Sequence, residues 1–219
     1  MQDDVISSVV TPRPGSANDR QAEHMRDFRA YWNSMRKGHD VPRRSDIDPR
    51  RIEPLLSNAF IAERIAPGVT RLRIAGMHLS DLMGMEVRGM PLSSFITPAD
   101  RDDFALKLVD LFDRPAAIRL DLRSKAGVGR PELSGTLIML PLRSDLGDVS
   151  RALGCFVSKG QIGRASRRFE IVNSHVEPLV AGIESNGMRA LPGDRDEAPR
   201  APSEQPVHRS ARDYLRVIK

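Results

Sequence analysis

Side chains able to do chemistry are few in this 219-residue chain, and their spacing argues against most catalytic schemes. Five histidines, His24, His39, His78, His175 and His208, are scattered, and no two fall at metal-ligand spacing on one expected element. His39 and Asp40 share a turn, where solvation is the simplest account. Cys155 lies in the apolar run RALGCFVS and reads as a buried structural thiol. As the only cysteine, it excludes an intrachain disulfide and fits a reducing compartment. Arg44, Ser45, Asp46 and Asp48 form a compact polar group able to bind an anion or a partner, although capping and local ion pairing explain it more simply. No Ser-His-Asp ordering or phosphate-binding loop occurs, and the glycines of GMHLSDLMGMEVRG lack the spacing of a dinucleotide fingerprint. An enzyme is not expected, and neither a metal nor a cofactor is called for.

The chemistry that does stand out is apolar binding. In RLRIAGMHLSDLMGMEVRGMPLSSFI, residues 71–96, Leu72 and Ile74 alternate with arginines at the period of a half-buried strand. Gly76 breaks the run, Leu79, Leu82 and Met83 recur at helical spacing, and Gly84 supplies a helix stop. A strand passing into short, glycine-hinged helical turns makes a cup. Its expected lining is Leu72 or Ile74, with Leu79, Leu82, Met83, Phe95, Phe104, Leu108, Leu120 and Met139, and with no charged residue. Such a pocket favours an apolar or weakly polar ligand. A core filled by its own side chains is the competing expectation.

Composition bounds the rest. An apolar content of 40% is ordinary, and no stretch approaches the roughly 20 apolar residues of a membrane span. The N-terminus lacks a basic start and an apolar signal core, so a cytoplasmic location is expected. The net charge of +5 suggests nucleic acid, but 29 of the 34 basic residues are arginines spread along the whole chain. Aromatics for base stacking are only 5%, which weakens that reading further.

In chain order, residues 1–19 read as disordered. Asp19 caps an expected helix over 20–37, whose Met25, Phe28, Trp32 and Met35 form one apolar stripe. The stripe suits either packing on the parent domain or the seam of a homodimer, and the homodimer is the expectation taken forward. Asp48 caps a short turn with Pro49 at its first position, and Pro54 limits it. Strands are expected at 58–65 and 69–75, joined by a Pro67-Gly68 turn, and three more at 116–123, 132–143 and 151–158. Thr97-Pro98-Ala99-Asp100 signals a helix running to about Asp113, with the Thr97 hydroxyl as its cap. Residues 161–182 read as a helical extension against the sheet edge, and 183–219 as a flexible tail whose apolar end, Asp213 to Lys219, is suited to docking.

The order helix, two strands, short helices, longer helix, three strands resembles a PAS domain over residues 25–160. More narrowly the chain resembles the single-domain PAS_5 group of alphaproteobacteria. The likeness is carried by Tyr31-Trp32 with Arg36 and Gly38, by Pro42 to Pro49, by Arg71 to Gly76, and by Gly84-x-Glu86-x-x-Gly89 with Leu92. It implies an α+β fold, a five-stranded antiparallel sheet cupping a cavity, with short helices on one face and an N-terminal flanking helix. Haem-binding PAS domains offer a histidine from the helix equivalent to Pro98–Asp113, where this chain has none and only His78 lies near. The cysteine motif of flavin-binding PAS domains is also missing from the sequence.

The resemblance implies a sensor or protein-interaction module and does not supply a ligand. The expectation taken forward is a stand-alone regulatory protein that acts on a signalling partner in trans, since no output domain follows the module, tuned by the small apolar ligand that the lining residues suggest. The alternative is a nucleic-acid-associated regulator using the arginine groups.

Overall fold

The structure is a computed structural model, and it describes residues 17–38 and 40–179. Expectations about residues 1–16, His39, His208 and the tail from 180 onward lie outside the described residues. Helix α1 covers Ala17–Ser34, strand β1 Ala59–Ala66 and β2 Val69–Ala75. Helix α2 follows at Met77–Met83, then α3 at Arg101–Asp113. Strands β3 (Ala116–Ser124), β4 (Leu133–Arg143), β5 (Val149–Lys159) and β6 (Glu170–Pro178) complete the chain of elements.

The sheet has six strands in the order β2-β1-β5-β4-β3-β6, with every neighbouring pair antiparallel. Five were expected; the sixth comes from the segment read as a helical extension over 161–182. There the apolar residues Phe169, Val172 and Val176 fit a helical spacing by accident. The strand prevails because β3 would otherwise present a full row of unpaired backbone groups, and β6 pairs with it from Ala116↔Pro178 to Arg123↔Glu170.

Each face of the sheet carries its own apolar layer. The inner layer joins β-strand residues to α2 and α3 through Leu72, Leu79, Leu82, Phe104, Leu108, Leu120 and Met139, among others. The outer layer sets Met25, Phe28, Tyr31 and Trp32 of α1 against Ile61, Ile138, Leu140, Leu153 and Cys155. Strands β4 and β5 supply both layers, which is why their sequences are apolar on both faces.

The outer layer corrects the homodimer seam. The stripe of α1 is used within the chain: Trp32 is 1% exposed and its indole N–H donates to the Pro141 carbonyl at 3.0 Å. Met25 and Phe28 are buried, and Met35 packs partly buried on the same layer. A sheet apolar on both faces needs a cover on each, and the connector through Pro42 is long enough to lay α1 there. Polar contacts fix the C-terminal half of the helix. Arg29 pairs with Glu177 of β6, and the Tyr31 hydroxyl donates to the Asp48 carbonyl at 3.0 Å while accepting from the Asp48 N–H at 2.7 Å.

Local starts and stops follow the residue types with two differences. The Asp48 carboxylate accepts from the Arg50 N–H at 3.1 Å, as an N-cap should. Helix α1 begins at Ala17, ahead of Asp19, so residues 17–19 belong to it and not to a disordered start. The Thr97 hydroxyl does not cap the backbone. It donates to the Asp100 carboxylate at 2.7 Å, and that same oxygen accepts from the Ile171 N–H at 3.3 Å. The start of the Pro98–Asp113 helical stretch is thereby joined to β6.

Candidate functional site

Two turns of α2 and the turn at Leu92–Phe95 wall one side of the inner layer, and α3 walls the other. The Gly76 amide donates to the Ala59 carbonyl at 2.8 Å, which folds α2 back over the sheet. Gly84 ends α2 with a positive φ of 71°, the left-handed conformation that a residue without Cβ adopts at little cost. These elements close over the face of β1, β5, β4 and β3, and the cup is filled by its own side chains, as the competing expectation had it.

Of the expected lining residues, Leu72, Leu79, Leu82, Met83, Phe95, Phe104, Leu108, Leu120 and Met139 all meet in this one cluster. Ile74 does not: it is 51% exposed on the opposite side. The cause is a bulge. Ile61 pairs with Ile74 and Ala62 with Leu72, so Arg73 is an extra residue and the alternation of β2 slips by one. The centre of the cup is occupied by aromatic rings that the sequence reading missed. Phe156 packs edge-on against Phe169 at 5.1 Å and against Phe95 at 6.0 Å between centroids, with Phe60 buried in the same cluster.

Residues 161–169, after β5, form a strap across one end of the cup. Its backbone is tied at Arg164 N–H to Gly129 O (2.7 Å), Arg167 N–H to Leu82 O (2.8 Å) and Phe169 N–H to Phe95 O (2.8 Å). Ile162 packs against the inner layer and Phe169 belongs to it. The fit is close: a Cβ on Gly84 would stand 2.6 Å from the Cβ of Ala165. Gly163, at φ 60°, passes so near Gly129 that a side chain would strike its carbonyl at 2.6 Å.

The strap also carries a buried charged residue. Arg167 is 0% exposed, a depth no other charged residue reaches among the described residues. One guanidinium nitrogen donates to the Pro131 carbonyl, while Nε and Nη1 have no hydrogen-bond partner. Burial, and then the neighbouring Arg130 charge, work against its protonated form. Nothing in the local sequence SRRFE marks this depth, because Arg167 stands among other arginines in a segment without periodicity.

Other polar groups near the cup are better satisfied. The His78 imidazole lies 3.1 Å from the Ser158 hydroxyl and edge-on to Phe156, and burial lowers its pKa despite the opposing Asp81 charge. Cys155 faces the α1 layer, where burial pushes its thiol up to about 12. Glu63 sits between Arg73 and Arg151 and pairs with both. Among the described residues, no group of three or more His, Cys, Asp or Glu side chains is placed to hold a metal ion. No helix among them is long and apolar enough to cross a membrane. Asp46 and Asp48 are engaged in turn capping, through the Arg43 and Arg50 amides.

The sheet order β2-β1-β5-β4-β3, the α2 and α3 walls and the cup between them agree with the comparison to known families. The PAS_5 model, described as a PAS domain, matches residues 20–157. No curated protein matches the chain. The family match ends inside β5, so the strap, Arg167 and β6 lie beyond it. Over more than half of its length the chain is a PAS domain, and it belongs to the PAS_5 family.

Proposed function

We propose that this chain is a non-catalytic sensory and regulatory module of the cytoplasm, whose output is carried by a second protein bound in trans. The observation that supports this most is the physical continuity from cup to surface. The strap closes the cup and runs directly into β6, an edge strand with one side unpaired by any other strand in the sheet. A change in the cup that shifts Phe169 or Arg167 therefore shifts the start of β6.

The surface that would report such a shift is partly apolar. Val172 of β6 is 60% exposed. Near the same strand, a groove of about 240 Å³ runs between α1 and the outer sheet face, with Met25, Ala117, Ile118 and Ile138 on its floor and Arg26, Arg29, Arg119 and His175 around it. An unpaired strand edge beside an apolar groove is the kind of surface that adds a partner's strand or helix. The arginines favour this reading over nucleic acid. Arg29, Arg64, Arg73, Arg114, Arg119, Arg143 and Arg151 are each engaged with a carboxylate of this chain. Cations already paired release few counterions on meeting phosphate.

The test is affinity capture from nuclease-treated native cytosol, with wild type and Val172→Asp in parallel. A defined protein that stays bound at high salt and is lost with Val172→Asp supports the reading. Recovery of nucleic acid that washes off steeply with salt, or a partner indifferent to Val172→Asp, contradicts it.

A further inference from the structure

The polar group of the connector has one member that capping does not use. Asp46 and Asp48 are engaged through the Arg43 and Arg50 amides, whereas the exposed Arg44 guanidinium has no ion pair among the described residues. The Arg143 N–H donates to the Pro42 carbonyl at 2.8 Å, which pins this turn to the end of β4. Arg44 thereby shares a pocket of about 360 Å³ with Arg73 of β2 and Arg151 of β5, a size within the range of small-molecule sites. Ile61 and the half-exposed Ile74 supply its apolar wall. Glu63 orders two of the three cations. Its side chain is only 13% exposed, and its oxygens pair one each with Arg73 Nε and Arg151 Nη1. The remaining N–H groups of both guanidinia make no hydrogen bond among the described residues.

We propose that this pocket binds a small phosphomonoester with a compact aromatic or aliphatic body. Glu63 already shows what a carboxylate does here: two oxygens hold two guanidinia, and a third is left over. A phosphomonoester brings three terminal oxygens and a charge of about −1.5 to −2, and the guanidinium fork matches its geometry. The body lies on Ile61 and Ile74. Two further acids are near. Asp148, beside Arg151, accepts from the Ser144 and Ser150 hydroxyls, so Asp145 is the one carboxylate on the pocket wall, against three cations. Because the pocket is open to solvent, the dianion keeps part of its hydration and escapes the cost of a buried charge. The bulge that makes Arg73 an extra residue is part of the site, since a bulge re-aims the side chain it carries. This pocket is separate from the cup and from the Val172 surface, so the proposal goes beyond the regulatory reading and neither decides the other.

Calorimetric titration of the full chain at low salt, with phenyl phosphate, inorganic phosphate and benzoate, separates the charge from the body. Phenyl phosphate is expected to bind saturably, with inorganic phosphate and benzoate each weaker by about threefold to tenfold. Arg44 and Asp145 are exposed side chains, so Arg44→Gln and Asp145→Asn should both keep the wild-type melting temperature. Arg44→Gln should weaken phenyl phosphate by about threefold to tenfold, whereas Asp145→Asn, which removes the opposing charge, should tighten it. A gain of affinity is an outcome that damage to the fold does not produce. No binding of phenyl phosphate at millimolar concentration, benzoate or inorganic phosphate as tight as phenyl phosphate, or an affinity unmoved by both variants overturns the proposal.

Discussion

Phe28→Ala tests where α1 spends its apolar face. Phe28 is fully buried, in one layer with Met25, Tyr31, Trp32 and six strand residues of β4 and β5. Truncating such a ring removes its transfer free energy and leaves a cavity, a loss of about 3–5 kcal/mol. Since whole domains are stable by only about 5–15 kcal/mol, about a fifth or more of the total is at stake. For a chain of this size the melting temperature should fall by about 6–20 °C. Trp32 is the sole tryptophan and is 1% exposed, so its emission reports the docking of α1 directly. Wild type should emit as a buried indole, and the transition followed by fluorescence should coincide with the loss of sheet signal. Because the face is covered within the chain, the melting temperature should not move over about a hundredfold range of protein concentration, whereas a dimer seam would make it rise. The exposed control Arg26→Ala should cost under about 0.5 kcal/mol. A Phe28→Ala protein with an unchanged melting point, or a wild type whose stability climbs with concentration, would refute the packing of α1 on its own sheet.

Three further outcomes follow from individual environments. Cys155, the only thiol and held near 12 by burial, should resist thiol reagents at pH 8 in the native state and react in step with global unfolding. Leu72→Ala should cost about 2–5 kcal/mol and Ile74→Ser under about 0.5, measured by urea denaturation, because the bulge at Arg73 points the two side chains to opposite sides. For Glu63, burial raises the carboxyl pKa but the bonds from Arg73 and Arg151 outweigh it, so the net shift is downward. A depressed folded pKa gives stability that is present above the unfolded value of about 4.3 and lost as pH falls below it, so Glu63→Gln should flatten the acid limb of the stability curve. His78, also depressed, adds a loss of the same sign that begins near pH 6.5.

The sheet and the cup were legible because their signals are local. Ile118, Leu120 and Leu122 alternate with charged residues, and Pro98 and Pro49 sit where helical turns begin. Leu79, Leu82, Phe104, Leu108 and Leu120 meet in the inner layer because each belonged to an element whose period was clear. Ile74 failed since a bulge is set by pairing with β1, which leaves no mark in RLRIA. Strand β6 failed for a related reason: an edge strand solvated on parts of both faces has no alternation, and its identity comes from the unpaired edge of β3. Trp32 and Phe28 were rightly marked as buried, but a stripe does not say whose surface covers it. Arg167 was invisible because depth is a tertiary property, and the residue type argues for the surface.

Native-state hydrogen exchange tests the central claim, that the strap is a movable link between the cup and β6, most directly. The amides of Arg164, Arg167 and Phe169 should exchange through a local opening, at least about tenfold faster than those of Leu120, Leu137 and Cys155 in the sheet. If the strap amides exchange only with the sheet, at the free energy of global unfolding, the strap is part of the core and the account of a movable link to β6 is wrong.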